Sequence, residues 1–447
     1  MSEKLFGTDG IRGVANIYPL TPEFCLKLAK VLSKSICTKN KKVLIAQDTR
    51  ISSPMLYSSL CAGFTSQGID VLNMGVIPTP LCTTLTPKYS VDMSIMITAS
   101  HNPYRDNGLK LINSKGDKFS DEQTSLIEDL MQKTLKDDEP VENIGKIENI
   151  IEPQQEYFAQ ISKIAKADAL KGMKIVIDAA NGCFSKIIAP AFKQLGATVI
   201  SLADKPDGYN VNENCGSQHT EILSKTVVDN HFDLGIAVDG DGDRIIICDE
   251  NGKRLDGDQI IAYLATYLHK HSVLKGNTVV STVYSNLGLG KYIRSLGLQH
   301  LASAVGERYV IEKMREAGSN LGGEESGHMV LSDYAKTGDA LYAALIVCLG
   351  IKESSQKVSK IFPVFTPFPS ETRNLRFDNK QIIEKIMSEN EVTDTIKQIS
   401  ERLQGHGMIL VRKSGTEPVI RIKVEDENAE VANQEISILE NCMKKYY

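Results

Sequence analysis

Three aspartates, Asp239, Asp241 and Asp243, alternate with glycines in the stretch DGDGDR, which ends at Arg244. Glycines let the backbone turn tightly, so the three carboxylates can reach one cation. Carboxylate oxygens are the ligands that hard cations such as Mg²⁺ prefer. Three unpaired carboxylates packed this densely would repel one another, and a bound cation removes that repulsion. The stretch therefore predicts a metal site.

A calcium-binding EF-hand is the alternative interpretation of the same stretch. Counting from Asp239 places Glu250 at the twelfth position, where an EF-hand loop has its bidentate glutamate. The sixth position of such a loop requires glycine, and this chain has Arg244 there. The residues that follow, IIIC, favour a strand over the helix that an EF-hand needs, so this alternative is disfavoured.

A second chemical motif is RKSGTEPVIR, whose residue types suit the binding of a phosphate. Ser414 and Thr416 offer hydroxyls, and Gly415 lets backbone N–H groups approach an anion. Arg412 and Arg421 can supply charge-assisted hydrogen bonds to phosphate oxygens. Many surface turns share this composition, so the motif indicates phosphate binding only in combination with the other motifs of the chain.

The stretch GGEESGH combines hydrogen-bond acceptors and donors in one short loop. The carboxylate of Glu324 beside the hydroxyl of Ser326 suits vicinal sugar hydroxyls, each of which both donates and accepts. The structural alternative is that Ser326 caps the N-terminus of a helix.

Ser100 and His101 stand at the exit of an apolar run, in TASHNPYRDNGLK, and raise the question of a hydrolase. Adjacent side chains seldom face each other, a catalytic triad is assembled from distant segments, and no G-x-S-x-G motif occurs. A serine combined with a metal site and a phosphate-binding loop instead indicates phosphoryl transfer. No P-loop motif is present, so the donor is not an obvious nucleotide and a phosphorylated serine could be the donor itself.

Three segments with one order of features indicate that these loops sit on repeated units. Each opens with a β-branched run, continues through a helix-like stretch to a second strand, and closes with a third strand and a polar loop; the opening runs are KKVLIAQDTR, MKIVIDAANG and NTVVSTVYSN. Strands that alternate with helices predict α/β units, whose ligands gather at the carboxyl ends of the strands. The predicted fold class is three related α/β domains with mixed sheets and a smaller C-terminal α+β domain.

Domain boundaries are predicted where the composition shifts. The charged residues 133–155 look like a surface helix or linker, and the prolines of IFPVFTPFPS forbid a continuous helix. We expect domains at residues 1–155, 156–255, 256–366 and 367–447, each carrying one of the four loops. The last domain should contain a strand, a loop, a strand and a closing helix with an apolar row from Val431 to Met443.

The composition excludes several classes of function. A net charge of -5 over 447 residues gives no broad basic face for nucleic acid. The nine cysteines form no C-x-x-C pair, which suits reduced thiols in a cytoplasm. No apolar stretch near the start resembles a secretory signal, and the longest apolar run, 340–351, predicts a buried helix rather than a membrane span. We expect a cytoplasmic protein that binds neither nucleic acid nor membrane.

The four motifs, in this order along nearly the whole chain, resemble those of the α-D-phosphohexomutases. The resemblance implies that Ser100 is a phosphoserine whose phosphate completes a Mg²⁺ shell with the three aspartates. It further implies that Glu324 and Ser326 hold sugar hydroxyls, while five residues grip the phosphate that does not react: Arg412, Ser414, Gly415, Thr416 and Arg421. Acid–base work or charge stabilisation would fall to Lys110, His101, Arg12 and His328, and Arg244 would support the transferring phosphoryl group.

Within the family, FGTDGIRG, VGERYV and SGTEP resemble the branch that acts on glucosamine phosphates. Glu307 stands where that branch usually has an aspartate. The implied reaction interconverts glucosamine 6-phosphate and glucosamine 1-phosphate through a 1,6-bisphosphate, for UDP-N-acetylglucosamine synthesis. A kinase or a hexose bisphosphate would first phosphorylate Ser100. The alternatives are the same mechanism acting on mannose or glucose phosphates, and a non-catalytic sugar-phosphate sensor on the same scaffold.

Overall fold

The computed structural model describes residues 5–133, 142–413 and 418–446. These residues form two compact units. The first runs up to Thr282 and includes Leu301–Val364, and the second combines Val283–His300 with the chain from Phe365 onward.

The first unit begins with a mixed sheet of seven strands. In chain order they are β1 (Phe6–Gly7), β2 (Gly10–Val14), β3 (Lys42–Gln47), β4 (Asp70–Val76), β5 (Met93–Ile97), β6 (Asp106–Asn113) and β7 (Ile147–Asn149), and their order in the sheet is β1-β2-β6-β5-β3-β4-β7. Strand β3 is parallel to β4 and β5, whereas β6 is antiparallel to β5 and β2. Every residue of β5 is buried, as expected for a strand covered on both faces.

Four helices accompany this sheet, and local capping explains where two of them begin. They are α1 (Pro22–Ser35), α2 (Ser53–Thr65), α3 (Thr79–Lys88) and α4 (Asp121–Gln132). The Thr21 side chain caps α1 by accepting from the backbone of Phe24, and Ser120 and Gln123 form a capping box at the start of α4. The apolar faces of α1, α2 and α4 share one buried core with the sheet.

A second mixed sheet of five strands follows. It contains β8 (Lys174–Asp178), β9 (Thr198–Leu202), β10 (Leu234–Val238), β11 (Ile245–Asp249) and β12 (Arg254–Leu255), in the order β12-β11-β10-β8-β9. Its helices are α5 (Gln155–Ile164), α6 (Ile188–Gln194) and α7 (Glu221–Asp229). Because β11 is antiparallel to β10, the chain reverses sharply between them, and the aspartate-rich stretch makes that reversal.

The third sheet has four strands, β13 (Thr278–Thr282), β14 (Gln299–Ser303), β15 (Leu321–Gly323) and β16 (Met329–Leu331), in the order β14-β13-β15-β16. Its helices within the first unit are α8 (Gly257–Lys270), α10 (Glu307–Ala317), α11 (Ala340–Ser354) and α12 (Val358–Ile361), and α9 (Leu287–Ser295) belongs to the second unit. Most of α11 is buried, which confirms the prediction made for the longest apolar run.

The rest of the second unit is an antiparallel sheet with helices. The strands β17 (Ser370–Arg376), β18 (Gly407–Lys413) and β19 (Val419–Asp426) lie in the order β17-β19-β18, and the helices are α13 (Lys380–Ser388), α14 (Asn390–Arg402) and α15 (Ala429–Met443). The predicted strand, strand and closing helix are confirmed. On α15, Leu439 and Met443 are buried in the core of this unit, and Val431 packs against it.

One feature recurs in all three sheets of the first unit. A strand ends in a polar loop, and an antiparallel strand returns from it: β5 and β6, β10 and β11, β15 and β16. These are the three loops singled out by their chemistry, so the expectation of α/β domains with mixed sheets is confirmed. The four predicted domain boundaries remain a prediction.

The charged stretch 133–155 differs in part from the surface helix or linker expected of it. Ile147–Asn149 form β7, which pairs in parallel with β4 at the edge of the first sheet. All three residues are exposed, so the short strand lacks the apolar alternation by which a strand can be recognised in a sequence. Residues 134–141 lie outside the described part of the chain.

Within the described ranges, no helix has both the length and the apolar character needed to cross a bilayer.

Candidate active site

Ser100 is held in an unusual backbone conformation by its neighbours. Its φ of 51° lies in the left-handed region, which costs free energy for a residue with a side chain. The Ser100 amide donates to Thr98 Oγ1 at 2.9 Å, and its carbonyl accepts from Arg50 Nη2 and Asn212 Nδ2, each at 2.9 Å. Thr98 in turn donates to Asp48 at 2.7 Å. These bonds fix the serine in a single orientation.

The hydroxyl of Ser100 is directed at the aspartate-rich loop. Its Oγ donates to Asp239 Oδ2 at 2.6 Å, although the serine itself is only 2% exposed. The two loops approach closely because Gly240 has no side chain: a Cβ there would lie 2.7 Å from the Ser100 carbonyl oxygen. The structure therefore brings together two motifs that are 139 residues apart.

His101 lies closer to Ser100 Oγ than its position in the sequence led us to expect. Its Nδ1 is 3.3 Å from the Ser100 hydroxyl oxygen, so these adjacent side chains do face each other. Burial and the charge of Arg244 lower the pKa of His101 to about 4, despite the opposing effect of Asp243. The hydroxyl proton is directed at Asp239 at the shorter distance, so the pair is not arranged as a hydrolytic dyad.

Asp239, Asp241 and Asp243 form one buried carboxylate cluster. A ligand oxygen from each lies within 4.8 Å of the others, and none of the three residues is more than 3% exposed. Burial, together with Asp243 and Asp241, raises the pKa of Asp239 well above its ordinary value. Burial also raises the pKa of Asp243, but Lys110 and His328 outweigh that effect and hold it well below the ordinary value.

The cluster has the donor set and the unsatisfied oxygens that suit a hard divalent cation. Asp241 Oδ1 and Asp243 Oδ1 are buried, and neither has a hydrogen-bond partner among the residues that the structure describes. Buried carboxylate oxygens are normally bonded, so two such atoms in one cluster indicate room for a ligand. Oxygen-only coordination is typical of Mg²⁺.

Lys110 supplies the positive charge nearest to the cluster. Its Nζ lies 2.6 Å from Asp241 Oδ2, 2.9 Å from Asp243 Oδ2 and 3.3 Å from Asp9 Oδ2, and the side chain is 1% exposed. Burial lowers the pKa of Lys110, but the three carboxylates outweigh burial and raise it well above the ordinary value. In this arrangement Lys110 is an ammonium ion that orients the carboxylates.

His328 is clamped between two carboxylates. Its Nε2 lies 2.8 Å from Glu307 Oε1, and its Nδ1 lies 3.7 Å from Asp243 Oδ1. Burial lowers the pKa of His328, but Glu307 and Asp243 outweigh it and raise the pKa to about 10. Glu307 also pairs with Lys118 and accepts from Thr337.

The two arginines expected near the transferring group are half-buried. Arg12 pairs with Asp9, and its Nε donates to the Asp9 carbonyl at 3.3 Å. Arg244 Nε lies 3.9 Å from Asp243 Oδ1 and has no hydrogen-bond acceptor within the described ranges.

The predicted sugar-binding loop lies between β15 and β16. Glu324 is half-buried, and its Oε1 accepts from the backbone of Gly306 at 3.0 Å, whereas Ser326 is exposed. Ser326 begins no helix, which excludes the capping alternative.

The predicted phosphate-binding loop is only partly described. Arg412 and Arg421 are register partners on the adjacent strands β18 and β19. Ser414, Gly415 and Thr416 lie outside the described residues.

Sequence reasoning missed the residues that balance the charges of the site. Asp9 contacts Arg12, Lys110 and Lys118, and Thr79 donates to Asp241. The stretch FGTDGIRG resembles the family, but no pattern within it indicates that its aspartate contacts several cations. Nothing in the spacing of Lys118 or Thr79 indicated a role.

Comparison with known proteins identifies the family. Models of the phosphoglucomutase/phosphomannomutase family match in four consecutive parts: alpha/beta/alpha domain I at residues 3–138, domain II at 155–252, domain III at 256–368 and the C-terminal domain at 373–438. The phosphoglucosamine mutase of Paramagnetospirillum magneticum is 40% identical, with 100% of this chain and 99% of the relative covered. The chain belongs to the phosphoglucomutase/phosphomannomutase family.

One further relative supports this membership, and one solved structure shares the fold. The phosphoglucosamine mutase of Caldicellulosiruptor saccharolyticus is 44% identical, with 96% of each chain covered. A crystal structure of a phosphoglucomutase/phosphomannomutase family protein from Burkholderia thailandensis has the same fold, with a TM-score of 0.82 at 22% identity over 100% of this chain and 98% of that one. As a member of this family, the chain is a phosphohexomutase, an intramolecular phosphotransferase.

Proposed function

We propose that this phosphohexomutase interconverts glucosamine 6-phosphate and glucosamine 1-phosphate, with Ser100 as the carrier of the transferred phosphoryl group. The observation that carries the phosphoserine role is the 2.6 Å hydrogen bond from the buried Ser100 hydroxyl to Asp239, in a carboxylate cluster suited to a cation. The choice of an amino sugar is supported by the relatives that are 40% and 44% identical, both of which are phosphoglucosamine mutases.

The proposed reaction transfers a phosphoryl group twice. In the first step the bond from phosphorus to Ser100 Oγ breaks while a bond to a sugar hydroxyl oxygen forms, and the proton of that hydroxyl passes, by way of a base at the site, to the leaving Ser100 Oγ. The sugar is then a 1,6-bisphosphate. In the second step Ser100 Oγ attacks the phosphorus at the other end of the sugar, the bond from that phosphorus to its sugar oxygen breaks, and the hydroxyl proton of Ser100 passes to that sugar oxygen. The serine and the phosphate are restored, so the reaction balances without a co-substrate.

The first phosphoryl group on Ser100 must come from outside this cycle. We propose that a kinase or a hexose bisphosphate supplies it, since a kinase transfers a phosphoryl group from a nucleoside triphosphate and a hexose bisphosphate carries one of its own. Once loaded, the serine needs no further donor.

Charge stabilisation at the serine is assigned to four side chains, and proton transfer to a fifth. Phosphoryl transfer depends chiefly on positioning and on cations around the phosphoryl oxygens. Lys110 and His328 are held as cations by buried carboxylates, and Arg12 and Arg244 lie half-buried nearby. His101, with Nδ1 at 3.3 Å from Ser100 Oγ, is proposed to take part in moving the proton.

Asp239, Asp241 and Asp243 are proposed to hold Mg²⁺ together with the Ser100 phosphate. A bound Mg²⁺ would neutralise charge on the transferring phosphoryl oxygens. Lys110 forms ion pairs with the Oδ2 atoms of Asp241 and Asp243. Their Oδ1 atoms accept no hydrogen bond from the described residues and are the oxygens that would bind the cation.

Substrate recognition is assigned to two loops. We propose that Glu324 and Ser326 bind sugar hydroxyls, because a carboxylate and a hydroxyl match groups that both donate and accept. Five residues would bind the phosphate that does not react: Arg412, Ser414, Gly415, Thr416 and Arg421. One serine can exchange a phosphoryl group with either end of the sugar only if the sugar binds in two opposite orientations. The non-reacting phosphate must be held in both orientations, and the contacts to the sugar hydroxyls must be compatible with both.

The second candidate function is the same reaction on mannose or glucose phosphates. Neither Glu324 nor Ser326 distinguishes a 2-amino group from a hydroxyl by its chemistry, and the family's own description names glucose and mannose.

The glucosamine activity would place the protein in amino-sugar nucleotide synthesis in the cytoplasm, ahead of UDP-N-acetylglucosamine.

A side-by-side assay decides between these functions. Purified protein is loaded with glucose 1,6-bisphosphate and given glucosamine, glucose and mannose 6-phosphates in turn with Mg²⁺. We expect kcat/KM to be highest for glucosamine 6-phosphate. A higher kcat/KM for the glucose or the mannose ester would contradict the assignment to glucosamine while leaving the phosphohexomutase reaction in place.

A further inference from the structure

We propose that Tyr284 is a positioning residue for Arg412, the arginine assigned to the non-reacting phosphate. The proposal rests on the proposed function, because it concerns how that phosphate is bound. It does not depend on which sugar carries the phosphate.

The first observation is a row of cations on one face of the sheet of the second unit. Arg412 on β18 and Arg421 on β19 are register partners, so their side chains leave the sheet on the same face. Lys423 lies two positions after Arg421 and shares that face. Like charges directly opposite each other destabilise a sheet. Such a row is stable when an anion or another electron-rich group lies between the cations.

The second observation is that the ring of Tyr284 supplies such a group. The Arg412 guanidinium carbon lies 4.7 Å from the centre of the ring, and Lys423 Nζ lies 5.7 Å from it. A cation within about 6 Å of an aromatic centre is attracted by the negative face of the ring. One tyrosine therefore contacts two of the three cations.

The backbone of Tyr284 is held by Lys423 on strand β19. Lys423 Nζ donates to the Tyr284 carbonyl at 2.6 Å and pairs with Glu425 at 2.8 Å. The ring is thus tied to the sheet that carries Arg412. Tyr284 and Arg412 belong to the same compact unit, although 128 positions of the sequence separate them.

The third observation concerns the guanidinium itself. Arg412 Nε is buried and has no hydrogen-bond acceptor in the ranges that the structure describes. Charge-assisted hydrogen bonds, which would otherwise orient a guanidinium, are therefore not made by this atom. Here the contact with the Tyr284 ring orients the guanidinium instead. Arg412 therefore has less rotamer freedom to lose when it binds a phosphate.

The test compares Tyr284→Leu, which removes the ring but keeps apolar volume, with Tyr284→Phe, which keeps the ring. Both are assayed with the hexose 6-phosphate that the wild type turns over best. We expect KM to rise about 5- to 10-fold in Tyr284→Leu, the fold-change that corresponds to a partly buried cation–π contact. The kcat should change less than about 2-fold, because a contact to the non-reacting phosphate acts equally on the substrate and the transition state. Tyr284→Phe should restore KM to within about 2-fold of wild type.

A double-mutant cycle shows whether Tyr284 acts through Arg412. With Arg412→Ala as the background, adding Tyr284→Leu should raise KM by less than about 2-fold, because the contact is already absent. A full additional 5- to 10-fold rise would show that the tyrosine acts by another route and would overturn the proposal.

A second measurement avoids any question of folding. Phenylalanines with increasing numbers of ring fluorines at position 284 keep the shape of the side chain while weakening the negative face of the ring. The logarithm of KM should rise steadily with fluorine number. A flat response, or a wild-type KM in a folded Tyr284→Leu, would overturn the proposal. Failure of the wild type to use glucosamine phosphates, with turnover of another hexose phosphate, would instead contradict only the assignment of the sugar.

Discussion

The charges around Ser100 are balanced by specific charged side chains. Lys110 contacts three carboxylates, and one of them, Asp9, also contacts Lys118, which pairs with Glu307. The residue types of the site could be predicted from the sequence, because aspartates and glycines alternate visibly and serine and lysine stand in a recognisable motif. The balancing partners could not, since Asp9 and Lys118 stand in no spacing that predicts a contact.

At this scale the most informative change is Glu307→Gln. The substitution keeps the shape of the side chain but removes the charge opposite His328 and Lys118, which are both largely buried. Removing one partner of a buried ion pair typically costs about 3 kcal/mol or more, because the other charge stays buried. We expect the free energy of unfolding of the first unit to fall by about that amount, as measured by urea denaturation followed by circular dichroism.

Two variants control this measurement. Glu307→Asp keeps the charge on a shorter side chain and should lose less stability than Glu307→Gln. Glu325→Gln removes an exposed carboxylate and should change stability by no more than about 0.5 kcal/mol. Equal stability of wild type and Glu307→Gln would mean that the buried pairs contribute nothing.

At the scale of elements, the strand-end loops depend on the helices that support them. Helix α11 begins at Ala340, whose amide donates to the carbonyl of Gly242 in the aspartate-rich loop at 3.1 Å. Its N-cap is Asp339, which accepts from the amides of Leu341 and Tyr342 and from the Tyr157 hydroxyl at 2.9 Å. The helix itself was predictable from its apolar run, but the tertiary bonds of its cap were not.

The cap predicts a specific pH dependence of stability. Burial raises the pKa of Asp339 from its ordinary 3.8 to about 7. The folded state therefore favours the protonated carboxyl, so stability is greatest below the ordinary pKa and falls as the pH rises towards 7. Between pH 5 and pH 8 the free energy of unfolding of the wild type should fall as Asp339 ionises. The side chain of Asp339→Asn cannot ionise, so we expect the fall in that variant to be smaller by at least about 1 kcal/mol. Urea denaturation at both pH values measures this, and parallel losses in the two proteins would contradict it.

At the scale of the whole molecule, the order of the motifs along the chain predicted more of the architecture than the amino-acid composition did. Three strand-to-strand loops were expected at the carboxyl ends of sheet strands, and the structure has them there. The placement of Val283–His300 in the compact unit of the C-terminal sheet was not expected, because the segment follows β13 directly and shows no break in composition. Contacts such as that of Leu287 with Glu425 decide its place, and no local pattern encodes them.

The carboxylate cluster predicts that a divalent cation stabilises the protein as well as supporting its activity. Chelation with EDTA should abolish turnover, and added Mg²⁺ should restore it. At 100 times its Kd, Mg²⁺ should raise the free energy of unfolding by about 2.7 kcal/mol. Asp241→Asn should lose this response, whereas Glu325→Gln should keep it. A thermal unfolding profile of the wild type that is unchanged by Mg²⁺ would contradict the assignment of the cluster as a metal site.

The central claim is that Ser100 carries the phosphoryl group, and mass spectrometry of the protein tests it most directly. Wild type and Ser100→Ala are incubated with glucose 1,6-bisphosphate and Mg²⁺, and their intact masses and peptides are then measured. The wild type should gain one phosphate, located on Ser100 and lost on addition of a hexose 6-phosphate acceptor, while a folded Ser100→Ala gains none and has no mutase activity. A phosphate on another residue, or full turnover by Ser100→Ala, would contradict the account.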